Sequence, residues 1–136
     1  IIRTAAIFGR GGNNFFNFIV DSLDNNQTID VFNDTFFTPT YIDDLMRSID
    51  IMVKKDLVGL FHVAGNSIES RYTFAKKIAE YLDKDGDLIK SAISPKDQVI
   101  LVNSSLSASK SSKILGIKFL STDDALKIHR NFYEKN

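Results

Sequence analysis

Ile1-Ile2-Arg3-Thr4-Ala5-Ala6-Ile7-Phe8, closed by Gly9-Arg10-Gly11-Gly12, is the stretch that decides the fold class. Its mixture of Ile, Thr, Ala and Phe, halted by glycines, reads as a buried strand running into a turn. Val58 to Ala64 repeats the pattern, apolar nearly throughout and closed by Gly65-Asn66-Ser67. Runs of this kind suit strands covered on both faces, as in parallel sheets. Between and after them lie helical periodicities, so strands alternate with helices and the class is α/β.

Asn13 or Asn14 is placed to cap a helix to about Leu23, with Phe15, Phe16, Ile19, Val20 and Leu23 on one broad face. Thr28 to Phe32 alternates as a half-buried strand, and Phe36-Phe37-Thr38-Pro39 reads as a loop. Ile42, Leu45, Met46, Ile49, Met52 and Val53 keep helical spacing. Thr40 is the expected N-cap, Asp43 its capping-box partner, and Asp43 and Asp44 suit the helix dipole. Ser70 is placed to cap a helix through roughly Leu82, with Phe74, Ile78 and Leu82 inward. Leu88–Ile93 and Gln98–Val102 are weaker strands. Ser107–Leu115 is a short helix stopped by Gly116, and Ser121 or Thr122 caps the last one, to about Tyr133.

The 136 residues are 43% hydrophobic and 25% charged, with 17 basic and 17 acidic side chains. A net charge of zero argues against a nucleic-acid grip resting on bulk charge. With no cysteine there is neither a disulfide framework nor a thiolate site, and a reducing cytoplasm is permitted. No apolar run approaches the roughly 18–20 residues of a membrane span. Opening on Ile-Ile-Arg, as if already inside a strand, suggests a fragment. So does the sheet: two buried strands need neighbours on their edges and helices on both faces, and this chain offers few.

Several segments in order carry a family resemblance. Ile2-Arg3-Thr4-Ala5-Ala6-Ile7-Phe8-Gly9 followed by Asn14-Phe15 is the first, and Asn33 to Leu45, with its Thr38-Pro39-Thr40-Tyr41 and Asp44-Leu45, is the second. Gly59-Leu60-Phe61-His62-Val63-Ala64-Gly65, Tyr72-Thr73-Phe74-Ala75 and Asn103-Ser104-Ser105-Leu106-Ser107-Ala108-Ser109-Lys110 follow. Together they resemble the C-terminal half of dTDP-4-dehydrorhamnose reductases, members of the extended short-chain dehydrogenase/reductases.

The resemblance implies a fragment of an NAD(P)-binding Rossmann-like enzyme that lacks the N-terminal glycine-rich βαβ half. Residues 1–12 and 56–83 would then join the Rossmann sheet, while 13–55 and 84–136 form mainly the substrate-binding lobe. It implies a reductase of a nucleotide-linked 4-keto-6-deoxy sugar, using NADPH or NADH, with no catalytic residue in this chain and no metal. The chain alone is therefore expected to be inactive. The substrate-binding candidates are Thr4, Ala5 and Ala6, then Asn13, Asn14 and Phe15, and Thr38, Pro39 and Thr40. Expected partners are a nucleotide sugar and the missing Rossmann half. A homodimer is left open, neither nucleic acid nor membrane is expected, and the expected compartment is the cytoplasm.

Two departures matter: Ala6 stands where many relatives have tryptophan, and Ile100-Leu101 where they have Arg-Pro. They keep two alternatives in view. One is an epimerase or dehydratase of the same superfamily, and the other a non-catalytic regulatory subunit such as that of methionine adenosyltransferase.

Other residues read more plainly. Tyr72-Thr73-Phe74-Ala75-Lys76 spells Tyr-x-x-x-Lys, but its surroundings match the family's late helix, so a packed tyrosine and a surface lysine are expected. His62 and His129 read as structural, and two histidines without cysteine do not suggest zinc. Lys110 and Lys113 read as solvated helix lysines.

Overall fold

A computed structural model describes residues 1–9 and 11–133. β1 (Ile2–Thr4) pairs in parallel with β6 (Phe61–Val63), Ile2 opposite Phe61 and Thr4 opposite Val63. The single strand expected over residues 1–8 is broken at Ala5-Ala6, where Ala6 has φ 40°. Beyond the break, β2 (Ile7–Phe8) pairs in parallel with β5 (Thr40–Tyr41). The segment expected as a loop before Thr40 also holds a strand, β4 (Phe36–Phe37), antiparallel to β7 (Glu69–Ser70). Two-residue strands have no periodicity to read; only their partners define them.

The long helices follow local rules. α1 (Phe15–Asp24) is capped by Asn14, whose side-chain oxygen accepts the Asn17 N–H at 3.0 Å. α3 (Arg71–Tyr81) is capped by Ser70, which accepts the Thr73 N–H at 3.0 Å. α4 (Ser109–Leu115) ends at Gly116, left-handed at φ 67°. α5 (Thr122–Tyr133) starts beside Ser121, which accepts the Asp124 N–H at 3.1 Å and donates to its carboxylate at 2.7 Å.

α2 (Ile42–Lys54) departs from expectation at its start and on its face. Thr40 lies in β5 and Tyr41 occupies the N-cap position without a side-chain cap. The helix buries Asp44, Ser48 and Met52, while Met46 and Val53 stand 58% and 75% exposed. Its inward face is chosen by a polar contact: the Asp44 carboxylate accepts the Leu120 N–H at 2.8 Å.

β3 (Ile29–Phe32) pairs in parallel with β8 (Ile89–Ala92). The strand expected over 58–64 is shorter, with Val58 and Leu60 exposed ahead of β6. The strand expected at Gln98–Val102 does not form. That segment meets the sheet only where Phe36 N–H donates to the Val102 carbonyl at 2.7 Å, beside a single bridge from Phe36 to Asn103.

Two apolar cores result. The first joins α1, α3 and α5 to β3 and β8 through Phe16, Ile19, Phe74, Ile78, Ile89 and Leu126. The second joins β6 to α2 and α4 through Met52, Phe61, Val63, Leu115 and Phe119, with Ile2 of β1 packed against it. Among the described residues no helix is long and apolar enough to cross a membrane.

Candidate functional site

The break between β1 and β2 builds the site. Thr40 Oγ1 donates to the Ala5 carbonyl at 2.6 Å and Thr40 N–H donates to the Ala6 carbonyl at 3.1 Å. Thr4-Ala5-Ala6 and Thr38-Pro39-Thr40 are therefore one joined wall at the C-terminal end of a parallel strand pair. In α/β sheets such ends are where ligands sit. Gly65, just past β6, closes the wall from behind. A Cβ there would lie 2.1 Å from the Pro39 carbonyl oxygen, so only glycine allows this approach.

Within the wall the candidates differ. Thr40 and Pro39 are buried, and the Thr40 hydroxyl is occupied by Ala5. Thr38 is buried too, its hydroxyl accepting the Leu106 N–H at 3.1 Å. Thr4 is partly buried at the end of β1, and its Oγ1 is buried with no hydrogen-bond partner. Such a group is a candidate for a ligand's hydroxyl or carbonyl. Ala6 is exposed, and its methyl offers a ligand no ring face to stack on.

Asn13, Asn14 and Phe15 separate. Asn14 is the helix cap, and Asn13 is exposed over a shallow groove of about 380 Å³ shared with Asn17, Asp21 and Gln27. Phe15 turns the other way, into a cleft of about 340 Å³ lined also by Phe18, Asp30, Phe32, Arg71 and Ile100. The Arg71 guanidinium lies 5.2 Å from the Phe15 ring centre and 5.5 Å from that of Phe37. It makes no ion pair among the described residues. Phe37, directly before Thr38, thus ties this cleft to the wall.

Arg71, Asp30 and Phe32 were not singled out from the sequence. The signal was thin: Arg71 follows a good N-cap and looks like an ordinary first-turn residue, and its aromatic partners lie on other elements. Ile100, read as a departure from an arginine, does line the cleft. Tyr72 and Lys76 make no functional pair: Lys76 Nζ donates to the Gly86 carbonyl at 2.9 Å, while Tyr72 packs against the first core. His129 is buried edge-on to Phe16 at 4.8 Å. Among the described residues no group of three or more His, Asp or Glu could hold a metal ion.

Comparison with known proteins bears on the family and the fold. Residues 1–130 match the model of the RmlD substrate binding domain. A spore coat polysaccharide biosynthesis protein of Bacillus subtilis is 35% identical over 80 residues, 59% of this chain and 28% of that protein. A dTDP-4-keto-6-deoxy-D-glucose reductase of Streptomyces niveus is 29% identical over 99 residues, 73% of this chain and 34% of that protein. The dTDP-4-dehydrorhamnose reductase of Bacillus anthracis, solved in complex with NADP, matches with a TM-score of 0.85 at 25% identity. That match covers 98% of this chain and 48% of the other. A dTDP-glucose 4,6-dehydratase of the same organism, with a TM-score of 0.80 at 16% identity, shares the fold alone. The chain thus spans about half the length of these structures and about a third of these curated relatives. With the model matched over nearly its whole length and the α/β fold shared with these enzymes, the chain belongs to the RmlD substrate-binding domain family.

Proposed function

We propose that this chain is the substrate-binding part of an NAD(P)H-dependent reductase of a nucleotide-linked 4-keto-6-deoxy sugar. The observation that carries the reading is the joined wall of Thr4–Ala6 and Thr38–Thr40 beside the aromatic cleft of Phe15 and Arg71. The cleft suits a nucleotide: Phe15 and Phe32 offer faces for a base, and Arg71 offers a cation that makes no ion pair among the described residues. Asp30 can accept from a base or ribose donor. At the wall, Thr4 Oγ1 offers a hydrogen bond to the sugar, and the Ala5-Ala6 turn fixes how closely it approaches.

The cofactor, when bound, supplies hydride to C4 of the sugar. Of this chain's residues, Thr4 and Ala5 fit beside its nicotinamide, because a buried hydroxyl without a partner stands at the strand end. The glycine cluster does not fit the cofactor's phosphates: Gly9, Gly11 and Gly12 follow no βαβ unit and lack the spacing of the dinucleotide fingerprint. A second half must therefore hold the cofactor and supply the tyrosine that protonates the sugar oxygen. The outer edge of β1 and the exposed Ile1, Met46 and Val53 suit its docking. We place the boundary between the two cores. β1 and β6, with α2 and α4 packed on them, continue the dinucleotide-binding sheet, and α1, α3, α5, β3 and β8 form the substrate lobe. Relative to the division expected from the sequence, this moves 42–54 and 109–115 to the sheet and 71–81 to the lobe.

Thermal-shift titration with thymidine diphosphate and with a dTDP-sugar tests the reading. Both should raise the melting temperature, the sugar nucleotide more, and Arg71→Ala should abolish most of either shift. No shift from either ligand, or shifts unchanged in Arg71→Ala, would sink it. The isolated chain should oxidise no NADPH with a 4-keto sugar nucleotide, and turnover would refute the division of labour.

A further inference from the structure

We infer that the cavity between the β6–β7 turn and α4 is a second binding site, one that takes a phosphate-bearing small molecule. Its volume, about 610 Å³, lies in the range of small-molecule sites, and it shares no lining residue with the Phe15–Arg71 cleft. Its lining has an excess of hydrogen-bond donors. Lys113 and Lys118 both face it, and no aspartate or glutamate does.

Three lysines elsewhere, Lys54, Lys77 and Lys84, find acids, while Lys76 donates to the Gly86 carbonyl. Lys54 pairs with Asp50 at 2.8 Å, and Lys77 with Glu69 at 2.8 Å and Asp123 at 3.0 Å. Among the described residues neither Lys113 nor Lys118 has such a partner. In a chain of zero net charge this makes a local cationic basin.

The polar groups around the two lysines point the same way. Ser67 Oγ accepts the Thr122 N–H at 3.1 Å, which leaves its own proton to donate. The Ser107 and Ser109 hydroxyls lie 3.2 Å apart and share one proton between them, so the second is free. Asn66, whose backbone N–H donates to the Leu120 carbonyl at 2.8 Å, adds a side-chain amide with no hydrogen bond among the described residues. Other hydroxyls are committed to holding the walls: Thr38 accepts from Leu106 N–H at 3.1 Å and Ser112 donates to the Ile117 carbonyl at 2.5 Å. Rigid walls, free donors and two uncompensated cations suit a group with several acceptor oxygens, which a phosphate or diphosphate has. Leu106 and Phe119 give the body of such a molecule an apolar floor.

Titration of the chain with inorganic pyrophosphate, followed by calorimetry and by amide shifts of residues 65–68 and 105–113, tests the site. Binding should weaken as salt rises, and Lys113→Ala/Lys118→Ala should lower affinity about tenfold or more. Both lysines are exposed, so the double variant should keep the parent's circular dichroism and melting temperature. Asn66→Ala, removing a neutral donor, should give a smaller loss. Absence of binding at millimolar pyrophosphate, or equal binding by the double variant, would overturn the inference. Repeating the titration with saturating thymidine diphosphate separates two sources of the phosphate. Competition assigns the cavity to the sugar nucleotide's own diphosphate, and undiminished binding assigns it to a separate phosphorylated metabolite.

Discussion

Ala6 is the residue on which the wall turns. It is held at φ 40°, a region that costs an L-residue about 1–2 kcal/mol. The conformation persists because Thr40 captures the carbonyls of both Ala5 and Ala6. Ala6→Gly should therefore raise stability by roughly 0.5 kcal/mol, after the added backbone freedom of glycine is discounted. A lower denaturation midpoint for that variant would show that Ala6 is unstrained. Gly65 gives the opposite expectation. A methyl there meets the Pro39 carbonyl oxygen at 2.1 Å, so Gly65→Ala should destabilise by about 3 kcal/mol and weaken any ligand held at the wall. Neither relation was legible in the sequence. The strand over residues 1–8 was, but its break depends on a hydroxyl at position 40, and the close approach at Gly65 on a carbonyl at 39. The reading of Thr40 as a helix cap failed for the same reason, since its backbone is drawn into the pairing with β2 and the helix starts only at Ile42.

At the scale of elements, what is local was legible and what is relational was not. The caps of α1, α3 and α5 and the glycine stop of α4 rest on neighbours within four residues, and they form as read, Ser121 being the cap of α5. The strands β4, β5 and β7 take their identity from partners far along the chain. α2 lies between these cases, because its apolar spacing announced a helix but not which face is inward. Asp44 decides that. Burial pushes its carboxyl above the ordinary range, against the pull of the Leu120 N–H and of Arg47 at 2.9 Å. The folded state thus binds the proton more tightly than the unfolded one. Over the window just above the ordinary aspartate value, near pH 4, stability should fall as pH rises. Asp44→Asn removes that slope while keeping an acceptor for Leu120. Asp44→Ala leaves the buried N–H unpaired and should cost about 1–3 kcal/mol at neutral pH. Urea unfolding at pH 4 and pH 7 for the three proteins checks this, and an unchanged pH slope in Asp44→Asn would remove Asp44 as its source.

For the whole molecule, the sequence carried the class and the family because ordered segments persist across the chain, whereas the division into cores did not show in any segment. The first core is enclosed by three helices and the β3–β8 pair, with Ile19 and Ile78 fully buried. The second rests on the β1–β6 pair, whose β1 edge has no further strand among the described residues, and its neighbours Met46, Val53, Val58 and Leu60 face solvent. Apolar area left in water lowers the free energy of opening, and an unpaired edge lets water reach the ladder. Amide hydrogen exchange under native conditions should therefore divide the molecule. Amides of Phe61–Val63 should exchange faster than those of Ile19, Val20 and Ile78, by at least about tenfold, a difference of roughly 1.4 kcal/mol in opening free energy. Addition of the proposed dinucleotide-binding half should bring Phe61–Val63 up to the first core's protection and leave Ile19 and Ile78 little changed, since in that proposal only the second core gains a neighbouring strand. Equal protection of both cores in the isolated chain would mean that the β1 edge carries no deficit, and the docking surface would then have to lie elsewhere.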